Sequence, residues 1–176
     1  MLLKKWFSLF ALVLASWVVM TFTHELGHVI GGWLSGGSLV SCDLLPWHLP
    51  YSLFDPDPHP LVTLWAGPWI GCLIPVGIAL AFKHRYLTFI AAFCVLANGT
   101  YLGTAWWTNE ALLDTPRLFA HGASQISVLA FVIVSTVAGY LSFRRACIAI
   151  LSPSRKTVEI GQAASKIDGS IESPTS

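Results

Sequence analysis

The sequence predicts an all-α integral membrane protein with about four transmembrane helices and a disordered C-terminal tail. Hydrophobic residues make up 55% of the chain and charged residues only 11%, whereas soluble domains carry about a quarter charged residues. Several apolar runs are long enough to cross a hydrocarbon core of about 30 Å. The length of 176 residues suits one membrane-embedded domain, residues 1–151, followed by a polar tail, residues 152–176.

The first apolar run extends from Trp6 to Leu34, directly after Lys4 and Lys5. A secretory signal peptide with a cleavage site at Val13-Leu14-Ala15 is the alternative interpretation. Because the run continues well past this site and further spans follow, we interpret it as an uncleaved transmembrane helix. Its length of about 43 Å exceeds the hydrocarbon core, so we expect its C-terminal end near the opposite interface, where water is available.

Three more spans and two polar connections follow the first span. The segment Ser38–Pro60 is rich in proline and aromatic residues, which predicts a loop on the bilayer surface that covers the end of the first span. A shorter polar segment, Thr108–Gly122, precedes the last span. The tail is rich in serine, glycine and small polar residues, which is typical of disorder. The predicted spans are Leu61–Phe82, Tyr86–Trp107 and Ser124–Phe143.

The basic residues indicate an orientation in the membrane. In a four-span arrangement only Arg117 lies on the side opposite the other cations, which are Lys4, Lys5, Lys83, Arg85, Arg144, Arg145 and those of the tail. The positive-inside rule then places both termini in the cytoplasm. We therefore expect a multi-pass membrane protein. The net charge of +1 gives no reason to expect a nucleic-acid partner.

The four cysteines form no C-x-x-C pair, and three of them fall in apolar runs. We expect them to be buried small apolar residues rather than metal ligands or disulfide partners. They are Cys42, Cys72, Cys94 and Cys147.

The motif His24-Glu25-Leu26-Gly27-His28 lies near the end of the first span. On a helix, His24 and His28 project from one face, one turn apart, so that two imidazoles can hold one Zn²⁺. Glu25 beside them can accept a proton from water and pass it to a leaving amine. Ionisable groups within a membrane helix are costly and suggest function. The motif therefore predicts a zinc site, with Glu25 as the catalytic base.

A catalytic zinc usually has three protein ligands and one open position. The end of the first span and the segment after the third span share one membrane face, which makes Asp114 the preferred third ligand. Glu110 and His121 are its nearest rivals. A solvated acid or a helix cap before Thr115-Pro116 is the alternative role for Asp114, and its position alone favours that alternative.

Other residues near the motif have less specific roles. Gly27 and Gly31 have the G-x-x-x-G spacing that permits close helix approach. Asn98, within the third span, must find a partner, either another helix or a substrate. His48 and His59 are possible further ligands, although histidines on a protein surface are more common.

Taken in order, these motifs resemble those of the M50 metallopeptidases, the site-2-protease clan, and most closely their small bacterial M50B-like branch. The resemblance covers most of residues 10 to 145. The matching segments are His24-Glu25-Leu26-Gly27-His28, Trp33-Leu34-Ser35-Gly36-Gly37, Trp65-Ala66-Gly67-Pro68-Trp69, Ala97-Asn98-Gly99-Thr100-Tyr101, and Leu113-Asp114-Thr115-Pro116-Arg117-Leu118 with Gly122 after it.

The resemblance implies a zinc-dependent endopeptidase that hydrolyses peptide bonds of membrane proteins, with His24, His28 and Asp114 as ligands and Glu25 as general base. Two departures stand out. Better-known members carry Asp-Gly where this chain has Asp114-Thr115. They also place the site near the cytoplasmic face, whereas the charges here place it near the outer face. No PDZ-like insertion is present, so we expect substrates to be selected by the membrane core or by partners.

Two other classes of function stay open at this point. One is a catalytically silent membrane protein that keeps the metal helix as a scaffold, with zinc fully coordinated through His48, His59 or His121 as fourth ligand. The other is a small transporter or metal-handling protein, which the scarcity of intramembrane polar groups and the lack of internal repeats disfavour. The sequence indicates neither a substrate nor an oligomeric state.

Overall fold

A computed structural model describes residues 2–152, which form five helices and one antiparallel pair of short strands. Four of the helices are long and apolar enough to cross a membrane, as predicted, and the chain is an all-α, multi-pass membrane protein. The predicted tail lies outside the described residues apart from Ser152. The elements are α1 Leu2–Leu34, β1 Leu39–Asp43, β2 Tyr51–Phe54, α2 Pro60–Phe82, α3 Arg85–Thr108, α4 Asp114–Ala120 and α5 Gln125–Leu151.

Local sequence features explain where the helices begin and end. Pro60 stands at the start of α2, where its missing N–H costs nothing. At the other end, Lys83 adopts a left-handed conformation and donates its backbone N–H to Ala79, so only two residues separate α2 from α3. Helix α5 continues past the predicted end at Phe143, because charged residues such as Arg144 are good helix formers and mark the edge of the apolar run rather than the end of the helix.

The segment predicted as a loop contains the hairpin of β1 and β2, with Cys42 opposite Ser52. Its tip is closed by Asp43, whose carboxylate accepts hydrogen bonds from the backbone N–H of Leu45 at 2.9 Å and from Nδ1 of His48 at 3.0 Å. These bonds hold the pKa of Asp43 below its usual range. The prolines that exclude a helix here still permit short strands on either side of them.

The hairpin folds back along α1. Nε1 of Trp17 donates a hydrogen bond of 3.3 Å to the backbone carbonyl of Pro46 at the hairpin tip. Trp17 lies seven residues before His24, which is about 10 Å closer to the N-terminal end of the helix. The segment therefore extends along the side of α1.

Small residues bring α1 and α2 together, as the glycine spacing predicts. A Cβ added to Gly27 would lie 2.5 Å from the carbonyl oxygen of Ala66, and one added to Gly31 would overlap the Ala66 methyl group. Gly139 of α5 packs against Leu96 of α3 in the same way. Such contacts replace the hydrophobic driving force that helices lack in lipid. The buried apolar cluster beside them comprises Leu64, Cys72, Leu102, Leu118, Val128 and Phe131.

All four cysteines are free, as expected. Cys72 and Cys94 are buried, but Cys42 is exposed and Cys147 is half-buried. The prediction of burial is therefore wrong for these two, because Cys42 lies on a hairpin strand and Cys147 on the outer side of α5.

Candidate metal centre

Three buried side chains from two distant parts of the chain converge near the C-terminal end of α1. Nε2 of His24 lies 3.1 Å from Nε2 of His28. One oxygen of Asp114, Oδ2, lies 2.8 Å from the first nitrogen and 3.3 Å from the second. Each of the three residues is only 5% exposed. The i, i+4 spacing on α1 and the start of α4 thus bring together the three predicted ligands.

The partners of the imidazoles determine which nitrogen carries the proton. Nδ1 of His28 lies 2.8 Å from the backbone carbonyl of Thr63, which can only accept, so this nitrogen donates. The amide nitrogen of Asn98 donates to the carbonyl of Cys94, which leaves its oxygen facing Nδ1 of His24 at 2.6 Å. That nitrogen must therefore donate as well, so that each imidazole, when neutral, presents an unprotonated Nε2 to Asp114.

Two imidazole nitrogens and one carboxylate oxygen thus face one another across 2.8–3.3 Å. Contacts this short need either a proton on an imidazole, which then donates to Oδ2 of Asp114, or a metal cation among the three atoms. Zn²⁺ at about 2.0–2.1 Å from each atom would separate tetrahedral ligands by roughly 3.3 Å. Outer partners that fix the imidazoles, as Asn98 and Thr63 do here, are typical of metal-ligating histidines. The donor set therefore fits zinc in both chemistry and spacing.

Glu25 borders the two histidines. A ligand atom of Glu25 lies within 4.8 Å of those of His24 and His28. Its Oε2 accepts a hydrogen bond of 3.1 Å from the hydroxyl of Ser52, which the hairpin brings to the site. One carboxylate oxygen is thus held by the hairpin while the residue as a whole faces the cleft beside the ligands. This position suits an acid–base group next to a metal.

Helix α4 positions Asp114. The hydroxyl of the fully buried Thr115 donates a hydrogen bond of 2.8 Å to the carbonyl of Leu102 and so fastens α4 to α3. Burial by itself would raise the pKa of Asp114, but the neighbouring imidazoles of His28 and His24 hold it below the usual range. Asp114 therefore contributes a carboxylate rather than a neutral acid, and its position is internal rather than that of a solvated loop residue.

Two glycines of α2 leave room for the site. A Cβ added to Gly67 would overlap the ring of His28 at Cε1 and Nε2. A Cβ at Gly71 would lie 3.0–3.2 Å from the side chain of Asn98 and the Cα of His24. Larger residues at either position would displace the imidazoles or their partners.

The rival ligands do not join this cluster. Glu110, His48, His59 and His121 are all exposed, and His48 is paired instead with Asp43.

Sequence reasoning missed Ser52 and Thr63 altogether and left the partner of Asn98 open. The first two carry no local signal, because they reach the motif only through the hairpin and the packing of α2. For Asn98 the available signal was an asparagine within an apolar span, which needs a hydrogen-bond partner. In the structure that partner is His24.

The cleft in front of these residues has a volume of about 30 Å³, which is room for one or two water molecules. Tyr101 lines it and also contacts His24 edge-on, with 5.4 Å between ring centroids.

Comparison of the chain with protein-family models, with curated proteins and with solved structures finds no match.

Proposed function

We propose that this protein is a membrane-embedded zinc endopeptidase that hydrolyses peptide bonds of membrane proteins or peptides, like the M50 metallopeptidases that its motifs resemble. The observation that supports this most is the convergence of the Nε2 atoms of His24 and His28 with Oδ2 of Asp114, at 2.8–3.3 Å. Glu25, beside them, supplies the acid–base group that peptide hydrolysis needs.

In this proposal, His24, His28 and Asp114 would hold a zinc ion, which would supply Lewis-acid polarisation of the peptide carbonyl and lower the pKa of a water molecule. Glu25 accepts the proton of the attacking water and later donates it to the leaving amine. The other oxygen of Glu25 stays hydrogen-bonded to Ser52, which fixes the plane of the carboxylate. Burial of the site excludes bulk water and strengthens these interactions.

Zinc content and cleavage test this function separately. We expect about one zinc per chain in protein purified in detergent, by elemental analysis, and loss of zinc in His24→Ala and in Asp114→Ala. His121→Ala is the control, because this histidine is exposed and outside the cluster. Glu25→Gln should keep zinc and lose cleavage of a membrane-protein substrate. Cleavage that persists in Glu25→Gln would contradict the proposed chemistry.

A silent scaffold that keeps the metal site is the second candidate. The hydrogen bond from Ser52 to Glu25 and the small cleft are features that such a protein would also have. It differs in one measurement: full coordination by protein groups would leave no water that exchanges at the metal. Water-exchange relaxation after substitution of the metal by a paramagnetic ion separates the two functions.

We further propose a bacterial inner-membrane location with both termini in the cytoplasm and the metal centre near the outer face. The asymmetry of basic residues supports this orientation.

A further inference from the structure

Arg117 lies on α4, one turn after Asp114, and lines the same cleft as Glu25. Its side chain is half-buried. The acidic and strongly basic side chains that line this cleft are those of Glu25, Asp114 and Arg117, with His28 beside them. Arg117 is thus the only arginine or lysine that the described residues contribute to the cleft.

The guanidinium has no acid to bind within residues 2–152. No hydrogen bond or ion pair joins it to a side chain there, although Asp114 is only three residues away on the same helix. That carboxylate is engaged with His24 and His28 instead. A half-buried charge without a partner is costly, and such a group gains most from an anion that arrives from outside.

We propose that Arg117 binds a carboxylate of the substrate, either an acidic side chain close to the scissile bond or a free C-terminus. We make this inference on the basis of the proposed peptidase function. The planar guanidinium can bind a carboxylate through two parallel hydrogen bonds, which adds both energy and orientation. Because Arg117 borders the cleft that contains Glu25, the bound anion belongs to the stretch of peptide being cleaved. Arg117 is then a specificity-determining residue.

Peptide binding to the Glu25→Gln variant tests this proposal without depending on cleavage. Three short fluorescein-labelled peptides are compared in detergent: one with a central Asp and an amidated C-terminus, one with Asn in place of Asp, and one with Asn and a free C-terminal carboxylate. Fluorescence anisotropy should show about tenfold tighter binding of at least one carboxylate peptide than of the uncharged one. Which of the two binds more tightly identifies the source of the anion.

A second substitution in that variant assigns the preference to Arg117. Arg117→Gln should abolish the difference between the charged and uncharged peptides, and Arg117→Lys should restore part of it. Arg117→Glu should instead favour a peptide with a central Lys. Arg144→Gln, in an exposed arginine at the far end of α5, is the matched control and should leave the preference intact.

Two results would overturn the inference. One is equal binding of all three peptides, and the other is a carboxylate preference that persists in Arg117→Gln. If peptide charge has no effect while binding to phosphatidylglycerol vesicles depends on Arg117, the residue binds a lipid phosphate and the proposal is wrong. If the Asp preference depends on Arg117 but the wild type cleaves nothing, the carboxylate site stands and the peptidase function fails.

Discussion

Gly67 touches the imidazole of His28 at the position where a side chain would begin. We predict that Gly67→Ala displaces this ligand and lowers zinc affinity at least about tenfold, the size of effect that disturbed outer contacts of a metal ligand produce. Alanine is otherwise favourable in a helix, so the helix itself should persist. Competition with a chelating dye measures the affinity.

Gly77→Ala is the matched control, because Gly77 lies on the same helix and a Cβ there has no neighbour within 4 Å. Equal zinc affinity in the two alanine variants would contradict a role of the Gly67–His28 contact in zinc binding.

Ser52 acts on Glu25 through one hydrogen bond of 3.1 Å. We predict that Ser52→Ala lowers kcat about tenfold and leaves KM and zinc content unchanged, since a hydrogen bond to a charged group contributes about 1.5–3 kcal/mol. Steady-state kinetics on a cleavable peptide gives both constants.

Ser52→Thr keeps the hydroxyl and should recover most of the activity. Ser41→Ala, at an exposed position on β1 of the same hairpin, should have no effect. A loss of zinc in Ser52→Ala would mean that the hydroxyl supports the fold of the site rather than the orientation of Glu25.

At the scale of elements, the attachment of α4 to α3 decides where Asp114 lies. Thr115→Val removes the buried hydrogen bond to Leu102 while keeping the side-chain shape. We predict a loss of about 1 kcal/mol in the free energy of unfolding, and lower zinc affinity, because Asp114 is the next residue. Thermal unfolding in detergent with and without a chelator measures both effects.

The control is Thr104→Val, in an exposed threonine whose hydroxyl bonds only within α3. If Thr115→Val and Thr104→Val change the free energy of unfolding and the zinc affinity equally, apolar contacts rather than this hydrogen bond hold α4 in place. Thr115, directly after Asp114, thus has a structural role in this chain.

Across the whole molecule, the two ends of α2 should lie on opposite sides of the membrane. His59 and His84 are exposed at these ends. With the native cysteines replaced by alanine, we predict that His59→Cys reacts with a membrane-impermeant maleimide in intact cells. His84→Cys should react only after permeabilisation, because the basic residues lie on its side. The reverse labelling pattern would place the metal centre on the cytoplasmic face.

How much of this structure could be predicted depends on how far apart the interacting residues lie in the sequence. The four spans and the His24–His28 pair depend on composition and on spacing within one helix, so the sequence contains them. Asp114 could be chosen only through topology and resemblance, because 86 residues separate it from His28. The contact of Ser52 with Glu25 could not be predicted, because nothing in a proline-rich segment indicates that it forms a hairpin or which of its residues lies next to Glu25.

The small cleft behind the hairpin has a consequence for turnover under the proposed function. A space of about 30 Å³ excludes a polypeptide, and Ser52 lies on the catalytic base. The resting molecule is therefore latent under the proposed function, and the cleft must widen before a peptide reaches Glu25, while the hydrogen bond from Ser52 persists. An opening step of this kind precedes each cleavage. Latency of this kind would spare intact membrane proteins that collide with the enzyme only briefly.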